Sequence, residues 1–191
     1  MARLSFGKKR RKRINYELLK EIAIWSAQIA MVSVLAFGCV WYFGHKVSVI
    51  GESMRPGLEN GDITIVNRLA YDIRKPKRGD VIAFKPNGNE NSHYYIKRII
   101  GLPGETITYE EGELYVDGEL LEEDYEVTKI LELGLLEDEI ELDKDEYFVL
   151  GDDRQNSEDS RMESLGNVKR SEIEGKVWFV VSPIRNWGFV K

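Results

Sequence analysis

The chain of 191 residues has room for one modest catalytic domain plus an appendage, and a domain of about 150 residues buries a core without metal or disulfide staples. A single cysteine excludes an internal disulfide, and two histidines, His45 and His93, leave any zinc cage short of its usual donors. The net charge of −6 is unevenly spread: residues 1–20 carry eight Lys/Arg against one Glu, while residues 105–146 hold 18 Asp/Glu against two Lys, so the acidity belongs to one insertion.

The basic start could read as a nucleic-acid arm. However, Lys8, Lys9, Arg10, Arg11, Lys12 and Arg13 stand just before the most apolar stretch of the chain, which argues against nucleic acid. Ile22 to Gly44 is a run of 23 residues without a formal charge. As a helix it covers about 34 Å, enough for a hydrocarbon core. The excess of Lys/Arg before it places the N-terminus in the cytoplasm and the rest of the chain on the far side. Trp25 at one end and Trp41 with Tyr42 at the other suit the two interfaces.

A cleaved signal peptide would be cut near Ala36-Phe37-Gly38, and a lipoprotein-type cut would fall before Cys39. The apolar run continues through Phe43, longer than a signal core, and Ala36 and Phe37 do not suit a lipid-attachment site. A buried helix of a soluble core would not carry six consecutive basic residues at its entrance. The reading is a cytoplasmic basic segment over 1–21, a transmembrane helix over 22–44 and an extracytoplasmic domain over 45–191, with 105–146 as its acidic insertion.

After residue 45 the apolar runs shorten to strand length and are punctuated by Gly, Pro, Asn and Asp. The expected strands are Val47–Ile50, Ile63–Val66, Val81–Phe84, Tyr94–Ile100, Thr106–Tyr109, Leu114–Val116, Tyr147–Leu150 and Val177–Val181. Asp117-Gly118 reads as a hairpin turn, Gly101-Leu102-Pro103-Gly104 as a tight reversal and Arg78-Gly79-Asp80 as a strand entry. Residues 122–143 mix leucines with acids and fit short helix or irregular loop equally well. The fold class is mostly β.

Three stations carry chemistry. Gly51-Glu52-Ser53-Met54-Arg55-Pro56-Gly57-Leu58 sets a serine at a strand end, where ordinary turn chemistry and an exposed hydroxyl are both compatible readings. Such a hydroxyl needs a base, and the candidates are His93, Lys97 and the carboxylates. On a two-residue period Lys97 shares a face with Tyr95 and Ile99, and Arg98 with Ile96 and Ile100. A desolvated lysine can lose its proton and act as a base while arginine stays charged, which favours Lys97. Solvation of both on an edge strand is the competing reading. The third station is the polar loop from Gly151 to Arg161. Arg154 interrupts a calcium-loop pattern there, whereas Asp159 and Arg161 can pair and leave Ser157 to orient a neighbouring amine.

In this order, behind this apolar segment, the stations resemble the bacterial type I signal peptidases, membrane-bound serine endopeptidases that remove signal peptides from exported preproteins. The residues carrying the likeness are Ser53 to Pro56, Arg78-Gly79-Asp80-Val81, the run from Lys97 to Glu105 and the loop from Gly151 to Arg161. The resemblance implies Ser53 as nucleophile, Lys97 as general base, Ser157 as hydrogen-bonding partner of the amine, and Asp159 with Arg161 as a brace. It implies a signal-peptidase-like antiparallel domain, no metal or other cofactor, and cleavage after small-x-small sites. The substrate would pair as an added strand, with Met54, Leu58, Tyr95 and Ile96 lining the pocket before the scissile bond. Expected partners are signal-peptide-bearing preproteins and membrane lipid; oligomeric state is open.

Departures accompany the likeness. Gly51 stands where many members carry a hydroxyl residue that helps hold the oxyanion, and loss of such a donor costs about 3 kcal/mol. Asp153 replaces the usual Asn, and an acid there would tend to keep the lysine protonated. Gly57 stands where Thr is usual. Relatives of the endoplasmic-reticulum type use His at the Lys97 position; His93, four strand residues away, lies about 13 Å off. Self-cleaving repressors share the Ser/Lys pairing but carry a DNA-binding module in place of the apolar segment. The competing class is a membrane-anchored β domain without chemistry that binds through its acidic insertion.

Overall fold

The structure, a computed structural model, describes residues 16–43, 45–89 and 91–190. The basic run Lys8–Arg13, read from sequence as a cytoplasmic segment, lies outside the described residues, as do the side chains of Cys39, Trp41 and Tyr42. The chain divides into two compact units near residue 40.

The N-terminal unit is the helix α1, Tyr16–Phe43. It begins earlier than the charge-free run because Glu17, Lys20 and Glu21 extend it by more than a turn; Glu17 in the first turn also suits the positive end of the helix dipole. Trp25, Ile29, Val32, Val34, Leu35 and Phe37 are exposed around its circumference. A helix apolar on every side is stable only when something other than water surrounds it, and Tyr16–Gly38 is long and apolar enough to cross a membrane.

The second unit is built on strands β1 (His45–Ser48), β2 (Ile63–Asn67), β3 (Val81–Phe84), β4 (Tyr95–Gly101), β5 (Thr106–Glu110), β6 (Glu113–Val116), β7 (Glu119–Leu120), β8 (Ile140–Glu141), β9 (Glu146–Leu150), β10 (Val168–Lys169), β11 (Ile173–Ser182) and β12 (Gly188–Phe189). A short helix α2, Leu69–Ile73, follows β2. All pairings are antiparallel. The main sheet runs β1-β2-β11-β3-β4-β9-β10 with β12 on β11, and the second sheet runs β7-β6-β5-β8. All eight expected strands are present within a few residues of their expected limits. The four two-residue strands β7, β8, β10 and β12 carry no readable alternation.

β3 is buried at every position because both faces of the main sheet are covered. Val81 and Ala83 join one apolar cluster with Val47, Met54, Leu58, Ile96 and Val177. Ile82 and Phe84 join another with Tyr71, Ile99 and Val149. A third cluster, including Ile100, Ile107, Leu114, Leu136, Phe148 and Leu150, ties the second sheet to the ends of β4 and β9. The acidic insertion is therefore packed into the same body as the main sheet. Asp117 and Gly118 have positive φ of 51° and 78°, as the expected hairpin turn between β6 and β7 requires. Residues 121–133 form an irregular strap, ended by a single turn of tight helix at Gly134–Glu137.

Candidate active site

β4 pairs with β3 over Tyr95–Arg98 and with β9 from Arg98 onward. The edge-strand alternative fails: Lys97 is 4% exposed and Arg98 is 3% exposed. Alternation sends the two to different partners. Arg98 forks onto Asp152, with Nε 2.8 Å from Oδ1 and Nη2 2.6 Å from Oδ2. Its Nη1 donates to the Gly79 carbonyl at 2.9 Å, and the Tyr125 ring lies 3.9 Å from its guanidinium carbon. Among the described residues Lys97 has no such carboxylate partner at hydrogen-bond distance. Its Nζ lies 2.6 Å from Ser53 Oγ.

The Lys97 amine is lowered to about 8, chiefly because burial disfavours its charged form. Asp159 and Glu158 push it back up, Arg161 opposes them, and Asp152 is a smaller raising influence. About one molecule in ten carries a neutral amine at pH 7. A hydroxyl in hydrogen-bond contact with such an amine can pass it a proton. Asp153, which the sequence singled out as the acid beside the amine, is not among the largest charges acting on it. Its carboxylate is occupied elsewhere: desolvation opposes its ionisation, but bonds from Asn156, Thr128 and the loop backbone outweigh this and hold it low.

Ser53 sits in the turn after β1, half-buried, beside a glycine whose φ is +87°. That backbone conformation explains Gly51: a residue with a side-chain hydroxyl would be strained there. Among the described residues the Ser53 N–H has no protein acceptor. The Ser53 carbonyl accepts from the Asp153 N–H at 3.0 Å, which fastens the turn to the 151–161 loop. Gly151 is a place of close approach, since a Cβ there would stand 2.4 Å from the Ser53 carbonyl oxygen and 2.3 Å from Ser157 Oγ.

That loop is buried although almost entirely polar. Asp159 and Arg161 form the pair expected from sequence, Nε to Oδ1 at 2.8 Å and Nη2 to Oδ2 at 3.0 Å, with both side chains at most 1% exposed. Ser160 closes on β9, its N–H donating to the Val149 carbonyl and its Oγ accepting from the Val149 N–H, both at 3.0 Å. Ser157 differs from expectation. Its hydroxyl is buried beside Ser53 but has no hydrogen-bond partner among the described residues, so the expected bond to the Lys97 amine is not formed.

The residues expected to line a substrate pocket divide between the sheet's two faces. Met54, Leu58 and Ile96 share one apolar cluster and are almost fully buried. Tyr95 lies on the Lys97 side, its ring 5.9 Å from the amine and its hydroxyl donating to Glu158 at 3.0 Å. A cavity of about 490 Å³ includes Met54 and Leu58 in its lining, with Arg98, Tyr125 and Phe189, but not Tyr95 or Ile96. His93 is exposed just before β4 and takes no part in the pair.

Sequence reasoning missed the strap. Glu123 pairs with Arg154, whose Nε donates to the Gly151 carbonyl at 2.9 Å. Thr128 donates from its N–H to the Asp152 carbonyl at 3.0 Å and from its hydroxyl to Asp153 at 3.1 Å. The Glu132 carbonyl accepts from Arg161 Nη1 at 3.0 Å, and the Leu135 N–H donates to the Arg161 carbonyl at 2.8 Å. The insertion thus supports the 151–161 loop through both side chain and backbone. No local pattern in 121–135 reveals this, because three of these five bonds use carbonyls and amides of the segment's own backbone, which every residue possesses. No group of His, Cys, Asp and Glu suited to a metal occurs among the described residues.

The family described as signal peptidase, peptidase S26, matches residues 22–182. The chain belongs to that family. It is 36% identical over 186 residues to signal peptidase I P of Bacillus subtilis subsp. natto, covering 94% of this chain and 96% of the relative. It is 38% identical to signal peptidase I of Bacillus caldolyticus, covering 86% and 92%. With signal peptidase IB of Staphylococcus aureus (strain COL) the identity is 32%, covering 89% and 92%. A crystal structure of a signal peptidase I from Enterococcus faecalis V583 aligns with a TM-score of 0.44 at 36% identity, over 55% of this chain and 97% of that one. The chain is a membrane serine peptidase that removes signal peptides, and its substrates are signal-peptide-bearing preproteins. The reading of a β domain without chemistry is not favoured.

Proposed function

We propose that Ser53 is the nucleophile and Lys97 the general base of signal-peptide cleavage. The observation that carries this is the 2.6 Å separation of Ser53 Oγ and Lys97 Nζ, with the amine buried and lowered to about 8. Neutral Nζ takes the Oγ proton as Oγ adds to the scissile carbonyl carbon. The resulting ammonium returns that proton to the leaving amine, so the mature protein departs and an ester joins the signal peptide to Ser53. Water, deprotonated by the same amine, then releases the signal peptide as a carboxylate. The Ser53 N–H stands ready for the oxyanion in place of a side-chain donor at Gly51.

Two open strand edges support substrate entry as an added strand. Among the described residues β1 pairs only with β2, and β9 pairs with β4 only from Arg98 onward, leaving Tyr95 to Lys97 open on that side. β1 leads to Ser53 and the open part of β4 ends at Lys97, so one extended peptide laid along either edge approaches the pair. Met54, Leu58, Tyr95 and Ile96 shape the site for a small residue before the cut. Asp159 and Arg161 hold the loop, and Ser157, buried beside Ser53, is the hydroxyl assigned to the amine. The basic residues 8–13 set an N-terminus-inside orientation, so the β unit works outside the cytoplasm. Exposed Ile184, Trp187 and Phe189 offer the β unit a lipid contact.

The test is processing of a preprotein by the full chain in detergent micelles. Ser53→Ala and Lys97→Ala abolish cleavage, and Lys97→Arg is equally inactive because a guanidinium keeps its proton. Wild-type rates in either alanine variant would end the assignment.

A further inference from the structure

Glu158 is the one member of the Ser157–Arg161 stretch with an exposed side chain, and nothing in the cleavage chemistry above uses it. Its carboxylate is nevertheless held from two directions. Oε2 accepts from the Tyr95 hydroxyl at 3.0 Å, and Oε1 accepts from the Ser164 hydroxyl at 3.2 Å. Tyr95 is two residues before Lys97 on β4, on the same face, with its ring 5.9 Å from Nζ. We propose that Glu158 is a positioning residue for the cleavage reaction: it anchors Tyr95 beside the Lys97 amine and presents a negative charge at the mouth of the site.

The two effects act in opposite directions on the base. The anchored ring keeps water from one side of the amine, which favours its neutral form. The carboxylate favours the ammonium, and a cation facing an aromatic ring is favoured as well. The other leading charges on Lys97 come from the same loop: Asp152, Asp159 and Arg161. Each of these has a buried ionic partner within the fold, Asp152 on Arg98 and Asp159 on Arg161. β3 contributes only Ile82 opposite Lys97. Glu158 is the acid among them that no cation neutralises at hydrogen-bond distance. Burial, with Glu158 next, pushes the Tyr95 phenol upward, so it remains a donor across the working range.

This inference rests on Lys97 being the base, and the experiment separates the two. Preprotein cleavage by the full chain in micelles is followed from pH 5.5 to 10. Glu158→Gln loses the charge but keeps both contacts, its amide oxygen accepting from the Tyr95 hydroxyl and its amide nitrogen donating to the Ser164 hydroxyl. Its acid limb moves to lower pH, raising kcat/KM below pH 7 by about threefold, roughly half a decade, while the alkaline plateau and KM stay put. Glu158→Ala loses the anchor too; water reaching the amine then opposes the displacement, which is smaller than in Glu158→Gln, and KM rises by about threefold or more. A Glu158→Gln profile superimposable on the wild type, or the same KM in both variants, overturns the proposal. Should Ser53→Ala remain active, the base assignment fails; should Ser53→Ala be dead while Glu158→Gln is unchanged, only the role of Glu158 falls. Both Glu158 variants keep the wild-type melting temperature because the side chain is exposed.

Discussion

Replacing Lys97 by methionine should abolish activity and stabilise the fold. The amine is 4% exposed, and its drop from the ordinary 10.5 to about 8 measures how much the folded state disfavours its charge. At about 1.4 kcal/mol for each tenfold change, this is about 3 kcal/mol of destabilisation at neutral pH. Loss of the bond to Ser53 returns about 1 kcal/mol of that, since the half-buried hydroxyl can turn to water. Methionine has a similar length and no charge to desolvate. The net gain is about 2 kcal/mol, which for a β unit of this size corresponds to a rise of about 4–8 °C in melting temperature.

The pH dependence supplies the sign. A lysine whose folded value lies below its unfolded one imposes its full cost below pH 8, and the cost fades as the pH rises from about 8 to 10.5. Wild-type stability therefore climbs across that interval, whereas in the Lys97→Met variant this contribution is absent. Unfolding of the β unit, followed by near-ultraviolet circular dichroism of the full chain in micelles at pH 7 and pH 10, reads both quantities. A Lys97→Met variant that melts below the wild type at pH 7, with no narrowing of the difference at pH 10, would refute the desolvation argument.

Gly51→Ser supplies the missing side-chain hydroxyl but forces a Cβ into φ of +87°. It should lower stability by about 1–2 kcal/mol and leave the single-turnover acylation rate no faster; a rate increase would show that the backbone accommodates it. Gly151→Ala places a methyl group between the Ser53 carbonyl and the Ser157 hydroxyl, 2.4 and 2.3 Å from them. It should cost about 1–3 kcal/mol and slow preprotein processing more than tenfold, and wild-type kinetics would contradict the close approach.

The eight principal strands, the long apolar helix and the turns at Gly79, Gly104 and Gly118 follow from periodicity and punctuation, because each depends on residues close in sequence. Residue by residue the Ser53, Lys97 and Gly151–Arg161 stations stayed compatible with ordinary turn chemistry and solvated cations, and only their joint likeness to a family pattern singled them out. Alternation along β4 correctly separated Lys97 from Arg98. It could not say that both are buried, because burial depends on β3, on β9 beside Arg98 and on the 151–161 loop near Lys97, all distant in sequence.

Charge was the least readable quantity. Asp153 looked like the acid that would hold the lysine protonated, yet Thr128 and Asn156 occupy its carboxylate, while Asp159 and Glu158 reach the amine. The acidic insertion looked separable by composition, but packing at Ile107, Leu136 and Phe148 draws it onto the main sheet and sets its strap beneath the 151–161 loop. The amino-acid order by itself determined which segments extend, which segment seeks lipid and which residue types carry reactive groups. Tertiary structure alone decided which charges face one another and at what dielectric, because desolvation and Coulomb interactions depend on through-space distance, for which separation along the chain is no guide.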